Sequence, residues 1–204
     1  MAKKYIYKYT EGDGKNKMLL GGKGANLCEM TQIGLRVPPG FVITTEACLD
    51  YIASNRLPEG LMGSVRENMA WLEQQTGKQF GGAVNPLLVS VRSGSAMSMP
   101  GMMDTILNLG LNETTLAGLI KLTGNERFGY DAYRRFIQLF GKIALGIDDH
   151  FFDDHFEAIK RRAGVKVDLG LNAEDLRDIG QMFLQVVQEQ TGRPFPQDPY
   201  EQLE

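Results

Sequence analysis

The sequence predicts an α+β fold whose two characters are separated along the chain. A mixed α/β part occupies residues 1–112 and a helical part residues 113–204. Three observations carry this. Short strand-like runs bounded by glycine and proline fall in the first part, whereas stripes of apolar residues at helical spacing dominate the second. Glycine is in excess, at 24 of 204 residues, against a usual share of roughly 7%. The excess is uneven, with 15 glycines in residues 1–110 and 9 in residues 111–204. Hydrophobic residues make up 43% and charged residues 23%, which excludes a collagen and argues against whole-chain disorder.

Tyr5, Tyr7 and Tyr9 alternate with polar residues and predict a short strand over residues 5–9, followed by a turn-rich loop over residues 11–17 with Gly12 and Gly14. Residues 24–33 predict a helix with Leu27, Met30 and Ile33 on one face, stopped by Gly34. Pro38, Pro39 and Gly40 predict a turn. Phe41, Val42 and Ile43 predict a short buried strand, and Thr44 or Thr45 suits the cap of the helix that follows. Leu61, Val65, Met69 and Leu72 mark one helical face, and residues 87–91 a strand after Pro86. In the second part, Tyr133, Ile137, Phe140 and Ile143 form one stripe. Leu176, Ile179, Phe183 and Val187 form another, capped by Asn172 ahead of Glu174 and Asp175. The last five residues read as a helix start, so the chain is expected to be a fragment of a longer protein.

Charge and cysteine content narrow the function classes. The net charge is −3, which gives no whole-chain footprint for nucleic acid. No apolar run approaches the ~20 residues of a membrane span, and the N-terminus lacks the features of a secretory or mitochondrial presequence. Cys28 and Cys48 match no metal spacing and read as buried free thiols. A cytoplasmic location follows as the expectation.

Four segments could carry chemistry. In the first, Gly21, Gly22 and Gly24 surround Lys23 at the opening of a helix. Small residues let backbone N–H groups approach an anion, the helix N-terminus favours negative charge, and lysine adds a mobile point charge. The chemistry is phosphate binding, although the Walker A spacing is not met, and a plain glycine-rich turn is the alternative. In the second, a strand ends in Arg92, whose planar fork suits phosphate oxygens. A loop follows with Met97, Met99, Met102 and Met103, four of the ten methionines, running through Gly101 to Asp104 and Thr105. Its composition does not suit a core, and adaptable methionines suit a moving surface. For Asp104, a turn-capping role stands beside a metal or substrate role.

The third segment, residues 148–157, holds His150 and His155 among five carboxylates. The five-residue separation puts the two rings about 140° apart on a helix, which argues against a zinc pair, and the carboxylates suit a helix start. In the fourth, Tyr130, Tyr133 and Phe136 are spaced as core residues, and Arg134 and Arg135 are expected to face solvent or a docked domain.

Together these segments resemble the N-terminus of the pyruvate, phosphate dikinase family over essentially the whole chain. The resemblance rests on residues 21–27, residues 37–41, the stretch 89–112, Tyr133 to Phe136, and residues 195–199. The first two motifs are shared with phosphoenolpyruvate synthases, whereas residues 93–110 are specific to the dikinases. The resemblance implies the first part of an ATP-grasp nucleotide-binding domain followed by a helical subdomain. It implies an enzyme that converts ATP, phosphate and pyruvate to AMP, pyrophosphate and phosphoenolpyruvate. A phosphohistidine on a separate swivelling domain would carry the phosphoryl group to a barrel domain, with Mg2+ accompanying ATP and its protein ligands expected beyond Glu204.

By that analogy Lys23 and Arg92 contact the nucleotide phosphates, and Gly101, Met102, Met103, Asp104 and Thr105 lie where the domain faces them. Arg134 and Arg135 are candidates for domain docking. No catalytic residue is expected within these 204 residues, and the fragment alone is expected to be inactive. The expected partners are ATP and the swivelling domain, without nucleic acid or membrane. The full-length family is commonly homodimeric through the barrel, and the fragment itself is expected to be monomeric. The competing readings are a phosphoenolpyruvate synthase relative and a non-catalytic module whose helical part binds a partner.

Overall fold

The computed structural model describes residues 3–94 and 104–204. The chain divides into two compact units, Met1–Gly77 with Arg92–Met103, and Lys78–Val91 with Asp104–Glu204.

The first unit opens with strand β1 (Ile6–Lys8) and helix α1 (Lys17–Gln32), followed by strand β2 (Phe41–Ile43), helix α2 (Thr45–Ser54) and helix α3 (Leu61–Thr76). β1 and β2 pair antiparallel with Ile6 opposite Ile43 and Lys8 opposite Phe41. The strand expected over residues 5–9 is therefore present, and Tyr9 follows it, donating its N–H to the Gly40 carbonyl at 3.0 Å. α3 buries Leu61, Val65, Met69 and Leu72, the face that the spacing predicts. Thr44 caps α2, its hydroxyl accepting from the Ala47 N–H.

α1 departs from expectation in two ways. It begins at Lys17 instead of residue 24 and is kinked at Gly21. Its buried face is Leu20, Ala25 and Cys28, whereas Met30 and Ile33 are exposed and Leu27 is half-buried. The reason is close packing through small residues. A Cβ on Gly24 would stand 2.8 Å from Val42 of β2, and one on Gly12 would stand 2.6 Å from the Cys28 sulfur. Residues 38–40 form neither turn nor bend. β2 is half-buried, with Ile43 exposed, and Cys48 is exposed while Cys28 is buried.

The second unit starts with two-residue strands β3 (Gln79–Phe80) and β4 (Pro86–Leu87), which pair in parallel. Strand β5 (Val89–Arg92), of which residues 89–91 belong to this unit, pairs with β6 (Thr105–Leu109). The single strand expected over residues 87–91 is thus two short ones with different partners. Helices α4 (Glu113–Thr123), α5 (Glu126–Ile143), α6 (Asp149–Ala163), α7 (Ala173–Thr191) and α8 (Pro199–Leu203) complete the unit, with a 3-10 turn at Asp168–Gly170.

Its core is the meeting of the two stripes seen in the sequence. Tyr133, Ile137 and Phe140 of α5 and Leu176, Ile179, Phe183 and Val187 of α7 are buried, and α5 and α7 pack together. Phe152 of α6 meets Phe183 edge-on at 5.0 Å, and Phe195 closes over Phe136 and Phe140. α7 is held at its start by a reciprocal box between Asn172 and Asp175. Among the described residues no helix is long and apolar enough to cross a membrane.

Candidate functional site

The candidate site is built on the kink in α1. Gly21 has φ 68° and ψ 164°, a region that only glycine enters readily. The kink splits α1 into a first turn and a longer helix that starts again at Gly22. The restarted helix presents N–H groups without helical acceptors, which is the physical basis of anion binding. Lys23 is half-buried at this restart, and Gly22 and Gly24 beside it are buried. Of the glycines here, Gly21 makes the turn and Gly24 admits Val42 of β2. Replacing Gly21 by Ala is expected to destabilise the protein by about 1–3 kcal/mol, because a Cβ strains this backbone region. A thermal melt that superimposes on wild type would show the kink to be unstrained.

Arg92 ends β5, is exposed, and belongs to the same compact unit as Lys23. Tyr9 locates it further. The Tyr9 ring packs against the Leu20, Ala25 and Cys28 core of α1, and a Cβ on Gly40 would stand 2.5 Å from it. Burial pushes the Tyr9 phenol above its ordinary pKa, Cys28 adds to that, and the charge of Arg92 pulls it down. The charge of Arg92 thus acts on a tyrosine that packs on the helix carrying Lys23. Strand alternation, the one sequence feature that marks Tyr9, does not point to this role.

Asp104 and Thr105 lie in the second unit, Thr105 as the first residue of β6. Gly101, Met102 and Met103 lie outside the described residues. Arg134 and Arg135, adjacent on α5, have separate fates. Arg135 is exposed, with its Nε donating to Asp131 Oδ2 at 3.0 Å. Arg134 does not face solvent: it is buried, and its Nε donates to Asp131 Oδ1 at 2.8 Å. Its Nη2 lies 2.7 Å from the same oxygen but off the hydrogen-bonding direction, and 3.6 Å from Asp168. Its guanidinium stacks over Phe156 at 4.5 Å. Burial lowers its pKa and Asp131 raises it. Both arginines, with Asn108 and Lys142, line a cavity of about 320 Å³.

Residues 148–157 begin α6 with Asp148 as the cap, and His150 Nδ1 lies 2.9 Å from Asp148 Oδ1.

Comparison with known proteins places the sequence. Residues 17–63 match a family model described as pyruvate phosphate dikinase, AMP/ATP-binding domain. The match begins at the first residue of α1 and includes the Gly21 kink and Lys23. A pyruvate, phosphate dikinase of Entamoeba histolytica is 60% identical over 98% of the chain. The chain belongs to the pyruvate, phosphate dikinase family. A dikinase of Clostridium symbiosum is 46% identical over 98% of the chain, and pyruvate, phosphate dikinase 2 of Zea mays is 49% identical over 96%. The chain spans 23%, 23% and 22% of these three dikinases, and it corresponds to their N-terminal part.

Proposed function

We propose that this chain forms one side of the ATP clamp of a pyruvate, phosphate dikinase, the enzyme that converts ATP, phosphate and pyruvate to AMP, pyrophosphate and phosphoenolpyruvate. The observation that carries the reading is the Gly21 kink with Lys23 at the restarted helix, inside the segment matching the AMP/ATP-binding family model. Phosphoryl transfer needs positioning and charge neutralisation more than covalent help from the protein. Lys23 supplies a mobile charge and Arg92 a planar fork, both to phosphate oxygens. Gly101, Met102, Met103, Asp104 and Thr105 are assigned to the nucleotide phosphates by the family resemblance. The α/β part to residue 112 carries nucleotide binding, and the part from residue 113 is a helical subdomain.

The acceptor of the phosphoryl group is a histidine on a swivelling domain of the same full-length chain. Arg135, exposed on α5, suits docking of such a domain, whereas Arg134 is committed to holding its own unit together. Among the candidate residues Lys23 and Arg92 are cations, Thr105 is neutral and Asp104 is a single carboxylate, and the described residues hold no cluster of three or more metal-ligating side chains. Magnesium therefore arrives with ATP, and its protein ligands lie elsewhere in the full-length enzyme. We assign the enzyme to the cytoplasm, as a dimer through its barrel domain.

Titration with Mg-ATP tests the reading. This chain alone is expected to respond only at millimolar ATP, since it holds one side of a two-sided clamp. A chain extended through the second side is expected to bind more tightly and to lose that gain in Lys23→Ala. No response from either form at millimolar ATP would favour a non-catalytic module.

A further inference from the structure

Helical hydrogen bonds run from each N–H to the carbonyl four residues back. A residue at φ 68° and ψ 164°, as Gly21 is, turns its peptide out of that ladder. Carbonyls in the turn before it then need donors from outside the helix. Thr45, the first residue of α2, supplies one. Its hydroxyl donates to the Met18 carbonyl at 2.5 Å and lies 3.3 Å from the Leu19 carbonyl.

The adjacent threonine does different work. Thr44 is buried and accepts from Ala47 N–H at 3.4 Å, capping its own helix. Two neighbouring hydroxyls are thus divided between α2 and the turn before the kink. β2 makes the reach short, because it places Val42 against Gly24 just after the kink and delivers the chain to Thr45 two residues beyond Ile43.

We propose that Thr45 is a positioning residue for the nucleotide-phosphate site. By fixing the Met18–Leu19 carbonyls it sets the direction of the peptide entering Gly21. That direction sets where the N–H groups of Gly22, Lys23 and Gly24 point and where the Lys23 side chain is rooted. Thr45 itself does not touch the nucleotide. The inference rests on the phosphate-binding reading above and adds to it a residue outside the glycine segment.

The test uses the full-length enzyme and separates its two half-reactions. Thr45→Val removes the hydroxyl at nearly constant volume, and Thr45→Ser keeps it. A net hydrogen bond of this kind corresponds to about a three- to tenfold effect. Thr45→Val is expected to raise the KM for ATP by that factor in phosphorylation of the enzyme by ATP. Phosphoryl exchange between phosphoenolpyruvate and pyruvate should be unchanged, and Thr45→Ser should stay close to wild type. A Thr45→Val enzyme with wild-type KM for ATP, or a Thr45→Ser enzyme as impaired as Thr45→Val, overturns the proposal. So does equal slowing of both half-reactions, which would mark a general folding defect. Lys23→Ala separates the two levels. If it slows the ATP half-reaction while Thr45→Val does not, only the positioning role falls. If Lys23→Ala is also without effect, the phosphate site falls with it.

Discussion

Full-length enzyme carrying Arg92→Ala is expected to be phosphorylated by ATP at least about a hundredfold more slowly than wild type, the scale of losing one preorganised donor to developing charge. Exchange between phosphoenolpyruvate and pyruvate should be unaffected, because the role proposed for Arg92 concerns only the nucleotide phosphates. The loss should exceed that of a point charge, since the guanidinium offers two parallel donors in a fixed plane. Arg92→Lys therefore restores charge but only part of the rate. Folding should survive, because Arg92 is an exposed strand end. Tyr9 offers an independent reporter. The charge of Arg92 holds the phenol pKa down against burial, so Tyr9 should titrate at higher pH in Arg92→Ala. Equal rates of phosphorylation in Arg92→Ala and wild type would remove Arg92 from the nucleotide site.

Periodicity made the helices legible. The α3 face and the α7 stripe are buried as their spacing demands, because an amphipathic helix has one way to satisfy its apolar residues. The glycines were legible as a group but not singly. Gly21 makes a kink, whereas Gly12, Gly14 and Gly24 let other atoms approach α1 closely. Nothing local separates these roles, since both ask only for a missing side chain. The apolar spacing of Leu27, Met30 and Ile33 misled for the same reason: the helix packs through its small residues. Arg134 was illegible because the charges that keep it inside, Asp131 and Asp168, include one on the distant connector between α6 and α7.

Asp131→Ala is expected to destabilise the second unit by about 3–5 kcal/mol, the cost of leaving a buried charge uncompensated. Arg134 is 4% exposed, and its strongest polar contacts are to Asp131 Oδ1. Asp168 cannot take over, because it is 3.6 Å away, 45% exposed at its side chain, and shared with Lys160 at 3.4 Å. Phe156 contributes a ring face but no hydrogen-bond acceptor in the plane of the guanidinium. An arginine cannot escape by losing its proton, so the unit must open to hydrate it. The double variant Asp131→Ala with Arg134→Met should recover most of the loss, since an apolar side chain of similar length removes the charge instead of stranding it. Urea denaturation of wild type, the single variant and the double variant measures both steps. A single variant within about 0.5 kcal/mol of wild type, the range of ordinary surface substitutions, would show that Arg134 finds compensation without Asp131. The pairing would then be incidental to the α5–α6–α7 core.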